Sequence, residues 1–430
     1  MKEPLAFAAT CDLVSIVRGR SLPLSELLRS PYGVGWVPAN LALTSFGPIA
    51  EPNSFSSLGD LRLIPDLSTE ILLPPIANGI SDGSPLHLFL CNQTLPDGSP
   101  WDCCTRTHAI NAIKELKEKH NIEITAAFEH EFTLTGFANG APFSLEKLRG
   151  AEPFGSDLWH NLEANGLEPE NWLPEYGTGQ FEITLRPKDA LRAADNAILL
   201  REIVRDTARS HGMRASFVPL PRPDGIGNGV HVHISLSRDG KPITYDPKEP
   251  KNLSLVASKA VAGILKHAEA LLAFTAPSQI SALRLTPHRW SSGVIAIAEH
   301  NREALLRICP LVGNDEKNHI RAFNVEYRAA DATANPWLII SLLIRSLTDG
   351  LDMNEAVGEI LTGETEGLPG VRLLPTNLQD ELVYLAKNEK VKSWFPPQLL
   401  ATHIAIRESE ARVLAGLTDA EKCERYANVY

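Results

Sequence analysis

Residues 128–132 read Phe-Glu-His-Glu-Phe, and the interpretation of the whole sequence starts from this stretch. Apolar and polar residues alternate through the longer segment Ile122–Thr135, which predicts a β-strand with one buried face. Because residues two apart project from the same face of a strand, Glu129 and Glu131 are expected to lie side by side. Two neighbouring carboxylates repel each other unless a positive charge lies beside them. A solvated strand face also explains such a pair, so other charged segments must support a site.

Three further segments carry charged or imidazole side chains on apolar strands or beside glycine turns. They are residues 174–182 (PEYGTGQFE), 227–233 (GNGVHVH) and 325–328 (VEYR). A pair of histidines two residues apart, as in the second segment, is often structural or merely exposed. Carboxylates combined with imidazole suit Mg²⁺ or Mn²⁺ better than zinc or an iron–sulfur cluster. The joint occurrence of these segments therefore indicates a divalent-metal site rich in carboxylates.

Arginines form a second group, scattered among apolar residues between Ser281 and Arg328: Arg284, Arg302, Arg307 and Arg328. A buried guanidinium needs an anionic partner, and its forked donors match carboxylates and phosphates. Ion pairs with core glutamates are one explanation. The alternative is that these arginines bind the phosphates of ATP and a carboxylate substrate beside the metal site.

Composition restricts the class of protein. The chain has 430 residues, of which 43% are hydrophobic and 22% charged, and its formal net charge is −11. This acidic balance argues against nucleic-acid binding, because no basic excess is available to displace counterions from phosphates. The longest apolar stretch, Trp337–Ile344, is too short to span a bilayer, and we read no secretory signal. The six cysteines show no zinc or disulfide-framework spacing, so reduced thiols in a cytoplasmic enzyme are expected.

Periodicity predicts unequal helices interleaved with strands, which is typical of an α+β fold. The predicted helices are Thr105–His120, Asp189–His211, Leu253–Phe274, Pro336–Gly350 and Gln379–Lys387; the predicted strands include Leu61–Pro65, Glu70–Leu73, Ile122–Thr135, Gly179–Leu185 and Gly229–Ser237. The loop Asn92–Asp102 is rich in turn residues and is the expected domain boundary. The prediction is a small β-rich domain at 1–102 and a larger domain at 103–430.

Six motifs in one order resemble the glutamine synthetase superfamily. They are EHEF (129–132), EYGTGQFE (175–182), ASFVPLP with GNGVHVHISL (215–236), RLTP (284–287), NREALLRI (301–308) and EYRAADATANPWL (326–338). The N-terminal part is similar to the β-grasp domain of that family through Asp12, Arg18–Arg20 and Asp60–Thr69. The resemblance covers nearly the whole chain. It implies a small N-terminal β-grasp domain, 1–102, followed by a catalytic domain, 103–430, that binds ATP, metal and glutamate.

The resemblance also implies roles for individual residues. Glu131, Glu175 and Glu182 would bind one metal ion; Glu129, His231 and Glu326 a second; Arg302 and Glu326 would be catalytic; Arg284, Arg328, Gly227 and Trp290 would bind substrate; His233, Ser235 and Arg307 would bind ATP. The implied cofactors are ATP as co-substrate and Mg²⁺ or Mn²⁺. The implied assembly is a ring-forming homo-oligomer, such as a dodecamer, whose active sites are completed by a neighbouring N-terminal domain. The implied chemistry is amine attack on a γ-glutamyl phosphate.

Two positions depart from the members of the family that use ammonia. Those members carry an aspartate where this chain has Thr44 and a glutamate where it has Trp290, and these acids build the ammonium pocket. A tryptophan at the second position resembles the γ-glutamyl-amine ligases of the superfamily, although Trp290 could also serve only to pack the flap. Ile226 and Asn324 replace an asparagine that touches glutamate and an arginine near the nucleotide, respectively.

The leading interpretation is therefore a ligase that joins glutamate to an organic primary amine bearing an alkyl or aromatic group. A long polyamine is less favoured, since only Glu51 is evident near the Thr44 loop to pair with further amines. The alternatives are an ammonia-using glutamine synthetase and a catalytically silent relative that serves in assembly.

Overall fold

A computed structural model of the chain describes residues 3–75, 84–286, 289, 291–363, 368 and 370–430. The helices are α1 Leu24–Arg29, α2 Thr105–His120, α3 Leu145–Gly150, α4 Phe154–Ala164, α5 Ala190–Ser210, α6 Leu255–Thr275, α7 Ser281–Arg284, α8 Glu316–Ala322, α9 Pro336–Met353, α10 Leu378–Lys387, α11 Glu389–Lys392, α12 Pro397–Val413 and α13 Asp419–Ala427. Short 3₁₀ helices lie at Pro38–Ala42, Leu67–Thr69 and Pro250–Asn252. The predicted α+β class is confirmed.

The strands form two sheets, one from the N-terminal hundred residues and one from the rest. The strands are β1 Leu5–Cys11, β2 Val17–Pro23, β3 Val34–Trp36, β4 Leu61–Pro65, β5 Ile71–Leu73, β6 Leu86–Thr94, β7 Glu123–Thr135, β8 Pro169–Pro174, β9 Gln180–Leu185, β10 Lys188–Asp189, β11 Arg214–Ser216, β12 Val230–Arg238, β13 Lys241–Pro242, β14 Val294–Glu299, β15 Ala304–Ile308, β16 Val325–Tyr327, β17 Leu361–Thr362 and β18 Arg372–Leu373. Strand β6 ends at Thr94 and α2 begins at Thr105, and we propose that the boundary between domains 1–102 and 103–430 lies between them.

The N-terminal sheet has the order β2-β1-β6-β4-β3, with β5 paired to β6. Its two central strands, β1 and β6, are parallel, whereas the pairs with β2, β4 and β5 are antiparallel. The large sheet has the order β17-β14-β15-β16-β12-β7-β9-β8. Its centre, from β15 through β16, β12 and β7 to β9, is antiparallel throughout. This antiparallel centre positions the site described below.

Helices α6 and α9 pack closely behind the large sheet because glycines allow their backbones to approach. A β-carbon on Gly263 would lie 1.9 Å from the carbonyl oxygen of Ser346, and one on Gly350 would lie 2.4 Å from that of Ala260. Helix α9 begins at Asn335, whose side chain accepts hydrogen bonds from the backbone N–H groups of Trp337 and Leu338. A short segment, 328–335, therefore connects β16 to the start of this buried helix.

The predicted elements agree with the structure to within three residues at each end, and the largest difference is the end of α9, at Met353 instead of Gly350. Helix α2 has the predicted bounds, and β4 does as well. The prediction for Asp189–His211 includes both caps of α5, since Asp189 and His211 flank that helix. The parallel strands β14 and β15 were not predicted, because their buried apolar runs lack the alternation by which a strand is recognised.

Candidate active site

Charged and imidazole side chains from the segments 128–132, 174–182, 227–233 and 325–328 meet on one face of the large sheet. Along β7 the side chains alternate between half-buried and buried, so Glu129 and Glu131 share a face while His130 and Phe132 pack into the core. The strand register places three pairs opposite each other: Glu131 with Glu182, Glu129 with His231, and His233 with Glu326. We call this set of six residues the carboxylate face.

Two groups on the carboxylate face have ligand atoms that lie within 4.8 Å of one another: Glu129, Glu131 and His231, and Glu129, His233 and Glu326. Glu129 Oε1 is 2.7 Å from His231 Nδ1, and Glu129 Oε2 is 3.4 Å from His233 Nε2. The second group therefore includes His233, for which the sequence predicted a nucleotide role, in addition to the predicted ligands Glu129 and Glu326. These assignments of residues to metal ions remain predictions.

Electrostatics show that the face suits a cation. Burial, followed by the charges of Glu129, Glu131 and Glu175, raises the pKa of Glu182 to about 10. Burial and the charge of Glu131 also raise the pKa of Glu175. Burial alone would raise the pKa of Glu129, but hydrogen bonds from His231 and His233 hold it well below its usual range. Several carboxylates thus lie too close together to ionise without a positive partner, and carboxylate oxygens with imidazole nitrogen fit Mg²⁺ or Mn²⁺.

The turn that carries Glu175 is held by a buried lysine. Lys147 on α3 is 1% exposed, and its Nζ donates to the backbone oxygens of Glu175 and Gly177 at 2.5 and 2.6 Å. Burial lowers the pKa of this ammonium to about 8. Strand β9 begins directly after this turn, so Lys147 fixes how Glu175 approaches the carboxylate face. Lys147 was not predicted as a site residue.

Replacing Lys147 by methionine should raise the metal concentration required for half-maximal activity by about 10- to 100-fold, the usual effect of removing a group that orients a ligand. The methionine fills the space but leaves two carbonyl oxygens without a donor. Activity titrated with Mg²⁺ measures the effect. Arg149→Met, an exposed change on the same helix, is the matched control. Equal titration curves for wild type and Lys147→Met would contradict this role.

Glu326 is buried among cations. Its Oε2 lies 2.9 Å from Arg307 Nη1, and its Oε1 accepts a hydrogen bond from Arg328. Burial alone would raise the pKa of Glu326, but the charges of Arg328, His231 and His233 lower it to about 2. Arg328 also donates from Nε to the backbone oxygen of Arg302 at 2.8 Å, and the exposed Arg302 lies close enough to lower the pKa of Glu175. The structure thus brings three of the four arginines to the carboxylate face.

Arg284, the fourth of these arginines, lies close enough to Glu131 to interact with its charge, and a glycine makes room for its side chain. A β-carbon on Gly227 would lie 2.5 Å from Arg284 Cγ, so any other residue would displace that side chain. Arg284 is buried and donates through Nη2 to the backbone oxygens of Ala329 and Ala330 at 2.7 and 2.9 Å, while its Nε has no partner in the described chain. A buried guanidinium with a free donor suits a substrate carboxylate.

Two residues predicted to bind ATP, His233 and Ser235, lie two positions apart on the same face of β12. His233 Nδ1 is 2.9 Å from Asn324 Oδ1 and 3.6 Å from Cys309 Sγ. Ser235 donates through Oγ to the backbone oxygen of Phe323 at 2.9 Å. Asn324, at a position where the family resemblance implies an arginine, is therefore within hydrogen-bond distance of His233.

Two family models match almost the entire chain. One is described as the glutamine synthetase catalytic domain and matches residues 102–426; the other is the glutamine synthetase N-terminal domain and matches residues 3–101. The chain belongs to the glutamine synthetase family. The family uses ATP and divalent metal ions, and this chain is accordingly an ATP-dependent acid–amine ligase.

Relatives from this family include enzymes with different amine substrates. The gamma-glutamylpolyamine synthetase GlnA3 of Streptomyces coelicolor is 32% identical over 430 residues, which cover 96% of this chain and 90% of GlnA3. The glutamine synthetase of Thermus thermophilus is 32% identical over 352 residues, covering 79% of this chain and 75% of that enzyme. A crystal structure of a glutamine synthase homolog has a TM-score of 0.92 at 38% identity and covers 100% of this chain and 99% of its own. Ligand-free GmaS, at 22% identity and a TM-score of 0.82, shares the fold over 98% of this chain and 96% of its own.

Within this glutamine synthetase fold, Gln180 and Asn228 contribute contacts that sequence reasoning did not assign. Gln180 Nε2 donates to Glu131 Oε2 at 3.2 Å and to the backbone oxygen of Gly227 at 2.8 Å. Asn228 Nδ2 donates to Thr133 Oγ1 at 3.1 Å. Gln180 belongs to the motif at 175–182 and precedes Glu182 by two residues. Strand periodicity therefore predicts that the two side chains share a face of β9.

Trp290 lies outside the described residues, so its role in amine selection stays a prediction. Its neighbour Arg289 donates to the backbone oxygens of Gly225 and Pro223 at 2.9 and 2.7 Å. Arg289 therefore contacts the turn that precedes Gly227. No helix in the described ranges has both the length and the apolarity needed to cross a membrane.

Proposed function

We propose that the protein joins the γ-carboxylate of glutamate to an organic primary amine, with ATP supplying the phosphoryl group of a γ-glutamyl phosphate intermediate. The observation that carries this proposal is the neutral loop at Thr44. Thr44 is 4% exposed, and its hydroxyl donates to the backbone oxygen of Pro48 at 2.8 Å. The side chain at the position of the ammonium-binding aspartate is thus uncharged and already engaged.

A nearby carboxylate does not replace that aspartate. Glu410 Oε1 accepts from the backbone N–H of Ser45 at 2.8 Å, and its Oε2 accepts from the hydroxyl of Tyr426 at 3.1 Å. Glu410 is fully buried and also pairs with Arg407. An ammonium ion is costly to desolvate, and Glu410, the carboxylate that contacts this loop at Ser45, has both oxygens already engaged.

The proposed reaction assigns a task to each cluster. Arg284 would hold the α-carboxylate of glutamate, and Arg302 and Arg307 would neutralise phosphate charge during transfer. His233 and Ser235 would contact the nucleotide, and Arg328 would fix Glu326 near the reacting groups. A divalent cation, Mg²⁺ or Mn²⁺, would supply further charge neutralisation when bound to the carboxylate face. The site must also exclude water, which would hydrolyse the acyl phosphate.

Release of ADP, measured with glutamate and either ammonia or a panel of amines, tests this function. The panel contains methylamine, propylamine, benzylamine and spermidine, the last because a similar relative is named for polyamines. Turnover with an organic amine well above that with ammonia supports the proposal. Efficient glutamine formation from ammonia would favour an ordinary glutamine synthetase, and no turnover at all would favour a silent relative.

Cys309 offers a direct test of the nucleotide position. It is the partly exposed member of six free cysteines, since the other five are buried. Because its sulfur lies 3.6 Å from His233 Nδ1, N-ethylmaleimide attached there should block ATP turnover, and prior ATP binding should slow the labelling. Mass spectrometry locates the label, and Cys309→Ser should remain active and resistant. Labelling at the same rate with and without ATP would contradict the predicted nucleotide site.

We further propose that the protein forms a ring-shaped homo-oligomer whose active sites include a neighbouring N-terminal domain. The N-terminal domain exposes large apolar side chains, including Tyr32 at 67% and Leu58 at 75%, as an interface would require. Light scattering should therefore report a multiple of the 47.0 kDa chain. Deleting the residues before the Asn92–Asp102 loop should abolish turnover even if the remainder stays folded by circular dichroism. A fully active monomer would contradict this assembly.

A further inference from the structure

A cleft of about 400 Å³ lies between the N-terminal sheet and helix α5, and none of its lining residues belongs to the carboxylate face. One wall comes from Ser68–Ile71, and the other from Asn165–Leu167 and the first half of α5. We call it the interdomain cleft. Its volume is within the range of small-molecule sites, which often lie between domains.

One stripe of α5 faces the interdomain cleft. Arg192, Asn196 and Leu199 line it and are spaced four and three residues apart, so they share a helix face. Asn196 is 5% exposed and lines the cleft, and its amide forms no hydrogen bond within the described ranges of the chain. The amide therefore offers a hydrogen-bond donor and an acceptor to a molecule bound in the cleft.

Arg192 is the cation that remains available. Its Nη2 donates to Ser68 Oγ at 2.8 Å, but it forms no salt bridge within the described ranges of the chain. The other charges are engaged: Lys188 pairs with Glu168 at 2.7 Å. Glu70 pairs with His87 at 2.6 Å, and Asp189 caps α5 by accepting from the backbone N–H of Arg192 at 3.1 Å.

We propose that the interdomain cleft binds a small amphipathic carboxylate. Its carboxylate would accept from the free donors of Arg192 and from the amide of Asn196, close to the positive end of α5. Its apolar part would lie against Ile71, Leu167 and Leu199, which line the same cleft and are buried.

The position of the cleft gives such a ligand a structural effect. Asp195, next to Asn196, accepts from Arg106 Nε at 2.9 Å, and Arg106 Nη2 reaches Asp66 of the N-terminal domain at 2.7 Å. A ligand in the interdomain cleft would thus add a second connection beside an existing one between the domains. It would regulate the enzyme by fixing the N-terminal domain against the catalytic domain.

Isothermal titration of the full-length assembled protein with hexanoate tests the proposal, with 1-hexanol and inorganic phosphate as comparison probes. Hexanoate should bind saturably. 1-Hexanol, which lacks the carboxylate, and phosphate, which lacks the apolar chain, should bind at least tenfold more weakly. Arg192→Met should raise the dissociation constant for hexanoate at least tenfold while leaving ADP release unchanged. Asn196→Leu, which removes the amide with little change in volume, should also raise the dissociation constant at least tenfold. Arg209→Met, an exposed change at the far end of α5, is the matched control.

Several results would overturn the proposal. They are the absence of hexanoate binding, equal affinity for phosphate, and an unchanged dissociation constant in Arg192→Met. Loss of hexanoate binding in Arg284→Met but not in Arg192→Met would place the carboxylate in the active site instead. None of these results depends on which amine the enzyme uses.

Discussion

Replacing Glu131 by glutamine is expected to reduce ATP turnover by about 10²- to 10³-fold, the scale seen when one preorganised charge contact is lost from a reaction site. Glu131 faces Glu182 across the β7–β9 pair and belongs to the group with Glu129 and His231. Excess EDTA should remove turnover altogether, because the carboxylates are held together only at high electrostatic cost without a cation. Full activity in EDTA would refute the metal site.

The matched control for this prediction is Glu123→Gln. Glu123 begins the same strand but is exposed, so its loss should leave metal dependence unchanged. A comparable loss of turnover in both variants would mean that the strand, rather than the site, had been disturbed.

Protonation gives the metal prediction a second readout. The pKa of Glu182 is raised to about 10, above its ordinary value near 4.5, because of burial and neighbouring carboxylates. A group whose pKa is raised on folding stabilises the native state at low pH, and this stability is lost as pH rises through the folded pKa. The melting temperature of the metal-free protein should therefore fall as pH rises from 5 towards 10, and added Mg²⁺ should restore more of it at high pH. Glu182→Gln, which cannot ionise, should weaken both trends.

The amine preference is the second large effect. If an apolar surface replaces the ammonium pocket, each buried methylene contributes about 0.8 kcal/mol, so propylamine should exceed methylamine about fifteenfold in kcat/KM. Ammonia should be poorer than either. Trp290→Glu should shift the preference towards ammonia, since a carboxylate at this position resembles the ammonia-using enzymes. Trp290→Ala should raise KM for the amine more than for glutamate.

Steady-state ADP release with each amine measures these ratios. Tyr384→Glu serves as the control, since Tyr384 is an exposed aromatic residue on α10, 44% exposed, to which no substrate role is assigned. If Trp290→Glu leaves the ratio of ammonia to propylamine unchanged, the flap tryptophan does not select the amine. An equal shift in the control would show a general effect of added charge.

Strand periodicity was enough to predict that Glu129 and Glu131 share a face, and the structure confirms it. It could not reveal which residues lie opposite, since the register of β7 with β9 and β12 depends on distant turns and core packing. Lys147 shows the limit most clearly. Its partners are backbone oxygens 28 and 30 residues away, and no side-chain pattern in the sequence encodes such a contact.

The order of motifs allowed the family to be recognised, but the details depend on neighbours brought together by folding. The pairing of His233 with Asn324 and Cys309 joins three strands or their ends, and none of these pairs is close in sequence. Likewise, the sequence of α5 does not show that Arg192 and Asn196 line a cleft, because residues of the N-terminal domain form the opposite wall.

Glu129 belongs to both groups of ligand atoms on the carboxylate face, with one oxygen towards His231 and the other towards His233. Two cations bound there would therefore share one ligand. Occupation of the first position would withdraw charge from the second and also orient the carboxylate that the second requires. The two positions would then not fill as independent sites, and a single carboxylate would link the predicted acid-binding end of the sheet to its predicted nucleotide end.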